Sequence, residues 1–392
     1  MLFQVLDNKQ ECYKIYCEGG LIDDYKSDGL SHTWSPALYL KEQDVEYAQI
    51  WCQGSSLLQM CPDELKERYV SVTQKAKVFL RTFHSAKINL NDVCFYDLVP
   101  EKFLLDFCEI KNEITRHVFK EGERPKNYNF LKELIFFLKD IEQNDINLDL
   151  KNIDQTNSKV RNTISKIKNC NTKIIYNPWG TITGRLTTEK DSFPILTLNK
   201  ELRNAVKPQN DFFVEFDFNA SELRVLLGLL GETQPKEDMH MWISKHVFDK
   251  KVDREQTKKK VFSWLYNPKA KNKKLNEYLD RDKIYEEYYI NGCVHTPYDR
   301  VIPVDQEKAV NYLIQSTSSD MLLTSAMNVS RELKNKRSFV SFCIHDSVVL
   351  DVSVSEKDLI EDLAKKFSGT KFGDLKVNLS IGKDFGNMRK VL

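Results

Sequence analysis

Two aspartates that lie far apart in the sequence are the residues best suited to hold divalent cations. Asp217 stands near the end of Phe212–Phe218, where apolar and acidic residues alternate, and Asp346 closely follows the apolar run 338–344. Both runs have the composition of β-strands, so each Asp is expected at a strand end or tight turn. Carboxylates that converge at a sheet edge can share two cations in phosphoryl transfer. Such aspartates are also common turn formers, so both interpretations stay open at this point.

A second group with chemical potential is a series of four residues spaced by four: Arg254, Lys258, Phe262 and Tyr266. This spacing predicts a single stripe along a helix of about 18 Å. Two cations followed by two aromatic rings suit a nucleoside triphosphate, because cations neutralise phosphates and a ring offers a stacking surface to a base. The alternative is that the rings belong to the core and the cations to the solvated surface.

Basic residues cluster in two segments of a chain whose net charge is only +1. Residues 250–275 contain ten basic and two acidic residues, and residues 158–175 contain five basic residues and no acidic one. Clusters of this kind bind polyanions or form a solvated helix face.

Length and composition exclude several classes of protein. A chain of 392 residues with 41% hydrophobic and 29% charged residues is typical of a globular protein with two or three domains. No apolar run approaches the roughly 20 residues of a membrane span, and the first residues do not form a signal peptide. Nine cysteines without a CxxC pair indicate free thiols. We therefore expect a cytoplasmic protein without a membrane partner.

The elements that must position these residues follow from periodicity and turn signals. Helical periodicity begins near residue 62 and dominates from residue 101 to 168, and strands frame both aspartates. In chain order, the sequence predicts strands at 2–6 and 11–17 joined at residues 7–9, helices at 129–141 and 155–168, a strand at Phe212–Phe218, a helix at 223–230, a hairpin over 338–352 with a polar tip, a helix at 356–367 and a strand at 375–381. This pattern is typical of an α+β protein.

In order along the chain, short motifs resemble the polymerase domain of family A DNA polymerases. The resemblance covers residues 175–392. Its motifs are Thr183-Gly184-Arg185-Leu186 (TGRL), Leu198-Asn199 (LQN), Asp217-Phe218-Asn219-Ala220-Ser221-Glu222-Leu223-Arg224 (motif A), Asp238-Met239-His240 (DIH), the four-residue series ending at Tyr266 (motif B), residues 311–320 (NxxIQGTAAD), Ile344-His345-Asp346-Ser347 (motif C) and residues 381–385 (IGxDW).

The resemblance implies a multidomain right-hand fold with an antiparallel palm sheet backed by helices. The palm would comprise residues 175–227 and 292–392, the fingers 228–291 and the helical thumb 101–174. Residues 1–100 would form a small α/β domain, a degenerate or replaced exonuclease-like region. This compact organisation is similar to a phage-type enzyme.

The same resemblance implies template-directed DNA synthesis from deoxynucleoside triphosphates, with attack of the primer 3′-hydroxyl and release of pyrophosphate. Asp217 and Asp346, with the backbone carbonyl of Phe218, would bind two Mg²⁺ ions, for which Mn²⁺ is an alternative. The remaining roles would be as follows: Arg254, Lys258 and His240 hold the triphosphate, Lys258 also acts as general acid, Tyr266 occupies the insertion site, Phe262 influences acceptance of dideoxynucleotides, Glu222 is the steric gate, and Arg185, Asn199, Gln315 and His345 contact the primer-template duplex.

Four positions depart from the family's motifs. Ser263 and Asn267 replace glycines of motif B, Ser316 replaces the glycine of IQGTAAD, and Ser347 replaces the Glu of motif C. The last change removes an acidic residue beside a proposed metal ligand. A proofreading nuclease would need an Asp-x-Glu strand; the one match, Asp44-Val45-Glu46, lies in helix-like or loop-like surroundings, so we expect no 3′–5′ exonuclease.

Two rival functions follow from the same motifs. A single-subunit RNA polymerase would share the acid pair and the cationic helix, but Glu222 argues against it. A catalytically inactive scaffold of polymerase fold would have no need of both aspartates. Beyond primer-template DNA and dNTPs, the partners to consider are a processivity factor and a separate helicase, primase or exonuclease.

Overall fold

The computed structural model describes residues 1–7, 13–23, 29–90, 92–151, 153, 156–169, 172–249, 251–267, 270 and 272–391. The chain divides into two compact units, Met1–Phe136 and Phe137–Leu392. Among the described residues, no helix combines the length and the apolar character needed to cross a bilayer.

The first unit combines short strands with long helices. An antiparallel sheet contains β1 (Phe3–Leu6), β2 (Lys14–Cys17) and β3 (Gly20–Ile22), and a parallel pair contains β4 (His32–Thr33) and β5 (Glu46–Tyr47). The helices are α1 (Ala48–Trp51), α2 (Asp63–Ser85), α3 (Glu101–Glu121) and the start of α4 (Tyr128–Glu142), which crosses the boundary between the units. The two predicted N-terminal strands are confirmed where they are described; residues 8–12, including most of the predicted turn, lie outside the described residues.

The core of this unit forms around α3. Ile110, Ile114 and Val118 recur every four residues and are buried together with Leu6 and Trp34. This spacing places the three aliphatic side chains on one helix face, which explains why the segment folds as an amphipathic helix. The candidate exonuclease residue Glu46 accepts hydrogen bonds from Trp51 and Arg124 in this unit.

The second unit has a larger set of elements. Its helices are α5 (Ser158–Asn169), α6 (Ser221–Leu229), α7 (Met239–His246), α8 (Arg254–Tyr266), α9 (Lys273–Tyr278), α10 (Arg281–Tyr288), α11 (Gln306–Glu332) and α12 (Ile360–Ser368). Its strands are β6 (Asn147–Leu148), β7 (Tyr176–Asn177), β8 (Thr187–Thr188), β9 (Val206–Lys207), β10 (Phe212–Phe218), β11 (Tyr289–Ile290), β12 (Cys293–His295), β13 (Val301–Pro303), β14 (Phe339–Ile344), β15 (Ser347–Val352), β16 (Gly369–Thr370), β17 (Gly373–Asp374), β18 (Val377–Gly382) and β19 (Arg389–Lys390).

A five-stranded antiparallel sheet organises this unit, with the strand order β14-β15-β10-β18-β19. Side chains alternate between its two faces. Phe216 and Phe218 leave β10 on one face and pack on Phe367 of α12, at ring-centre distances of 5.6 and 4.4 Å. Asp217 therefore points to the opposite face. The combination of an antiparallel sheet with helices packed on it is that of an α+β protein.

The predicted elements of this unit are confirmed with two changes. The helix predicted at 223–230 begins earlier, at Ser221, because Ala220 adopts a left-handed conformation (φ 53°) that turns the chain at once. The segment predicted as one helix at 356–367 divides into a 3₁₀ helix, Val354–Leu359, and α12. The start of the helix predicted at 155–168 lies outside the described residues, and α5 begins at Ser158.

Candidate active site

The hairpin of β14 and β15 brings Asp346 to the end of β10. Asp217 pairs with Ser347 in the antiparallel register, and the Phe218 amide donates to the Asp346 carbonyl at 3.5 Å. His345 and Asp346 form the two-residue turn, in which His345 takes a left-handed φ of 49° that suits a tight hairpin. The two aspartates are thus neighbours across one strand pair, although 128 residues separate them in the sequence.

The environment of Asp217 favours a bound cation. Asn378 donates to the Asp217 carboxylate at 2.9 Å, and Lys390 in turn donates to Asn378 at 2.9 Å. Burial raises the pKa of Asp217 to about 6, and the negative charges of Glu215 and Asp346 add to the rise, while Asn378 opposes it. Negative charge is therefore poorly compensated at this sheet edge, which is the electrostatic condition for cation binding.

The donor atoms at this edge fit the divalent metal that the polymerase resemblance implies. Mg²⁺ is commonly held by one or two carboxylates, with water and substrate phosphates completing its octahedron. Asp217 supplies one such carboxylate near the end of β10, and Asp346 supplies another from the hairpin turn that precedes β15. Among the described residues, no three His, Cys, Asp or Glu side chains converge closely enough to hold a metal by themselves. The two carboxylates would therefore supply only part of the coordination shell of such an ion.

Glu222 links three segments of the candidate site. Its side chain is only 9% exposed; Arg185 donates to one carboxylate oxygen at 2.6 Å and the Tyr266 hydroxyl donates to the other. Burial raises the pKa of Glu222 to about 7; Arg185 lowers it and Asp346 raises it further. The arrangement ties the first turn of α6 to the last turn of α8.

A cavity of about 400 Å³ is lined by six of the predicted site residues. Its volume lies within the range of small-molecule sites. These six residues are Arg185, Glu222, Phe262, Tyr266, His345 and Asp346. Six residues from four sequence motifs thus surround one space. Asp217 is not one of its lining residues, but it lies next to the hairpin turn that carries Asp346.

The series spaced by four forms one stripe along α8, as its spacing predicts. The rings of Phe262 and Tyr266 stack in parallel with centres 5.7 Å apart, and the Lys258 ammonium lies 5.9 Å from the Phe262 centre. The His240 ring approaches Phe262 at 6.0 Å. His240 is 4% exposed, burial lowers its pKa, and its Nδ1 has no hydrogen-bond partner within the described chain. A buried ring nitrogen of this kind is ready to meet a ligand atom.

Arg254, the first residue of the stripe, is held by the start of α7. Its guanidinium contacts the Asp238 carboxylate at 3.1 Å. Asp238 also caps α7, accepting from the amides of His240 and Met241, both at 3.1 Å, and Asn219 donates to it at 3.0 Å. Burial raises the pKa of Asp238, but these hydrogen bonds lower it more and hold it well below its usual range.

Two supporting contacts were missed by sequence reasoning. The first is Arg224, which is fully buried and donates to the carbonyls of Asn219 at 2.7 Å, Pro235 at 2.8 Å and Glu237 at 2.9 Å. It ties α6 to the loop that leads into α7. Its signal in the sequence was a lone charge inside the apolar run 223–230, since a buried charge must be paired or hydrogen-bonded.

The second missed contact is a buried ion pair between Arg300 and Asp320, with hydrogen bonds of 2.9 and 2.7 Å. Gly184 packs directly on this guanidinium: a Cβ there would lie 2.5 Å from the Arg300 Nη2 atom, and the glycine φ is +74°. Ser319 donates to the Gly184 carbonyl at 3.0 Å. These contacts fix the turn that presents Arg185 to the cavity.

Not every predicted site residue reaches the cavity. Seven of them are absent from its lining: Asp217, Phe218, His240, Arg254, Lys258, Asn199 and Gln315. Asn199 is exposed and precedes the 3₁₀ helix Lys200–Ala205, and Gln315 is half-buried on α11. In the basic segment 250–275, Arg254 and Lys258 lie on the α8 stripe, whereas Lys250, Lys269 and Lys271 lie outside the described residues.

Comparison with known proteins places this geometry on a known fold. No protein-family model and no curated protein matches the chain. Among solved structures, the polymerase domain of Pol1 from M. smegmatis, in complex with DNA primer-template and dNTP, is similar with a TM-score of 0.59. The likeness covers 92% of this chain and 87% of that one at 13% sequence identity. The chain therefore has a polymerase fold.

Proposed function

We propose that this protein is a DNA polymerase of the family A type that extends a primer 3′-hydroxyl on a template with deoxynucleoside triphosphates, releasing pyrophosphate. The observation that carries the proposal is the cavity in which Asp346, with Asp217 beside it, faces Phe262 and Tyr266 of α8. An acid pair opposite a helix with cations and aromatic rings combines the two requirements of nucleotidyl transfer, cation binding and triphosphate binding. The polymerase fold supports this interpretation.

The incoming triphosphate would bind along the stripe of α8. Arg254 and Lys258 would neutralise phosphate charge, and His240 would offer its unpartnered ring nitrogen. Arg254 would exchange the Asp238 carboxylate for a phosphate oxygen, since both are anionic oxygen ligands of a guanidinium. Lys258 would donate a proton to the leaving pyrophosphate as general acid.

The carboxylates of Asp217 and Asp346, with the carbonyl of Phe218, would hold two Mg²⁺ ions or, alternatively, Mn²⁺. When bound, such ions activate the attacking hydroxyl and steady the leaving oxygen. Both aspartates must be ionised to serve as ligands, so the raised pKa of Asp217 makes cation binding compete with a proton.

Glu222 would act as the steric gate that favours deoxynucleotides. It is held from both sides by Arg185 and Tyr266, so its carboxylate keeps a fixed place in the cavity wall. Tyr266 would occupy the insertion site until the templating base enters, which requires its hydroxyl to leave Glu222. Phe262 would contact the sugar of the nucleotide and influence acceptance of dideoxynucleotides.

The duplex would lie against the other side of the cavity. Arg185 and His345 are exposed there, and Asn199 and Gln315 would contact the DNA outside the cavity. We assign residues 175–227 and 292–392 to a palm, 228–291 to fingers and 101–174 to a thumb. Within the thumb, the basic helix α5 would bind the phosphates of the duplex. The unit boundary at Phe136 falls within the proposed thumb, so α4 would join its two parts.

Primer extension tests the proposal. Purified protein with a labelled primer-template, four dNTPs and Mg²⁺ should lengthen the primer, while Asp217→Ala and Asp346→Ala should not, with DNA affinity kept within a few fold. Ribonucleotide incorporation in preference to dNTPs would favour the RNA polymerase alternative, and DNA binding without extension would favour the scaffold. The absence of proofreading, the phage-like character, the accessory partners and the cytoplasmic location stay predictions.

A further inference from the structure

Ser347 occupies the position at which motif C of family A polymerases has Glu. Its hydroxyl contacts a different acidic residue, Glu215. The Ser347 hydroxyl donates to the Glu215 carboxylate at 2.8 Å and also to the Ile344 carbonyl at 3.1 Å. Glu215 precedes Asp217 by two residues on β10, so both side chains leave the strand on the same face. Ser347 is the direct partner of Asp217 on β15 and shares that face.

Four polar side chains therefore form one continuous group on this face of the sheet. Asp217 lies between Ser347 on one neighbouring strand and Asn378 on the other, and Glu215 reaches Ser347 diagonally. Glu215 on β10 thus places a carboxylate within hydrogen-bond distance of the β15 position at which motif C has Glu.

We propose that Glu215 is a positioning residue for the cations at the Asp217–Asp346 pair and supplies the negative charge that Ser347 lacks. This inference rests on the proposed function. Glu215 is not assigned as a direct ligand, because no three acidic side chains among the described residues converge on one point. It acts through its charge and through Ser347, whose hydroxyl it orients beside the hairpin turn that carries Asp346.

The expected effect follows from Coulomb's law. Side chains two residues apart on a strand are about 7 Å apart, and in a water-like dielectric one charge at that distance changes the affinity for a dication by about sevenfold. Glu215→Gln removes the charge and keeps the acceptor for Ser347, so it isolates the electrostatic contribution. Exchanging the two residues, Glu215→Ser with Ser347→Glu, moves the carboxylate across the strand pair without changing the net charge.

Mn²⁺ binding measured by electron paramagnetic resonance tests the inference without relying on turnover. The full-length chain, bound to primer-template DNA, is titrated with Mn²⁺, and the sites lost in Asp217→Asn define the relevant class. Glu215→Gln should weaken Mn²⁺ binding at this class of sites about sevenfold, and the exchange variant should bind within about twofold of wild type. Glu277→Gln, on the exposed side of α9, is the matched control and should change nothing.

The outcomes separate the inference from the proposed function. Equal Mn²⁺ affinity in wild type and Glu215→Gln overturns the inference even where wild type extends primers. An exchange variant as weak as Glu215→Gln also overturns it. Where circular dichroism shows that the exchange variant does not fold, Glu215→Asp takes its place: near wild-type affinity supports the role of charge, and a loss as large as that of Glu215→Gln refutes it. Failure of wild type to extend any primer refutes the proposed function instead.

Discussion

Replacing Asp217 by Asn should abolish DNA synthesis and at the same time stabilise the protein. Burial is the largest cause of the raised pKa of Asp217, and the charges of Glu215 and Asp346 add to it. The ionised form of Asp217 therefore destabilises the folded state. Asn has nearly the same shape and keeps an acceptor for Asn378, so the substitution removes the charge without removing the hydrogen bond.

The size of the effect follows from the pKa. A rise from 3.8 to about 6 spans about two pH units, and each unit corresponds to about 1.4 kcal/mol. Because the side chain is only half-buried, solvent screening reduces this upper value, and we expect about 1–2 kcal/mol. The pKa of Asp217 is higher in the folded protein than in the unfolded chain. The contribution of Asp217 to wild-type stability is therefore fully present below about pH 4 and is lost as the pH rises through about 6.

Urea denaturation in the presence of EDTA measures this difference. Asp217→Asn should exceed wild type in free energy of unfolding at pH 8, and the gap should close near pH 4. Mg²⁺ should then stabilise wild type and leave the variant unchanged. Asp238→Asn is a control of opposite sign, because the pKa of Asp238 is lowered and its charge is paired with Arg254. An Asp217→Asn protein less stable than wild type at pH 8 would refute the reasoning.

Three further predictions concern the gate, the pH profile and the buried ion pair. Glu222→Ala should raise ribonucleotide incorporation relative to dNTP at least about tenfold in primer extension; an unchanged ratio contradicts the gate. At subsaturating Mg²⁺ the extension rate should fall as the pH drops below about 6, where Asp217 takes a proton, and more Mg²⁺ should move the midpoint lower; a midpoint independent of Mg²⁺ would exclude Asp217 as a ligand. Asp320→Asn leaves the Arg300 charge buried without its partner and should cost about 3–5 kcal/mol in urea denaturation; a loss under about 1 kcal/mol would show that the pair is not structurally important.

The elements that carry the site could be predicted from the sequence because their signals are local. Alternation places β10 at Phe212–Phe218, and the spacing of four places the α8 residues on one stripe. A hairpin with a polar tip puts Asp346 at a turn. In each case the pattern of apolar residues determines which side chains face the core and which remain available for chemistry.

The contacts that hold these elements together could not be predicted in the same way. Arg224 donates to the carbonyl of Glu237, 13 residues further along the chain. Arg300, directly before β13, pairs with Asp320 on α11. Such pairs depend on distances set by the tertiary fold and leave no periodic trace in the sequence. The hydrogen bond between Ser347 and Glu215 could not be predicted for the same reason. The sequence motif indicates only that Ser347 replaces an acidic residue, whereas the register of β10 and β15 shows that Glu215 lies beside it.

Single-nucleotide incorporation on four templates that differ only in the templating base tests the central claim most directly. If Asp217 and Asp346 hold cations opposite the α8 stripe, wild type with Mg²⁺ should add the matched dNTP on each template. Asp217→Ala and Asp346→Ala should add none while still binding the duplex within a few fold of wild type. Incorporation that ignores the template, or that persists when either acid is removed, would contradict the account.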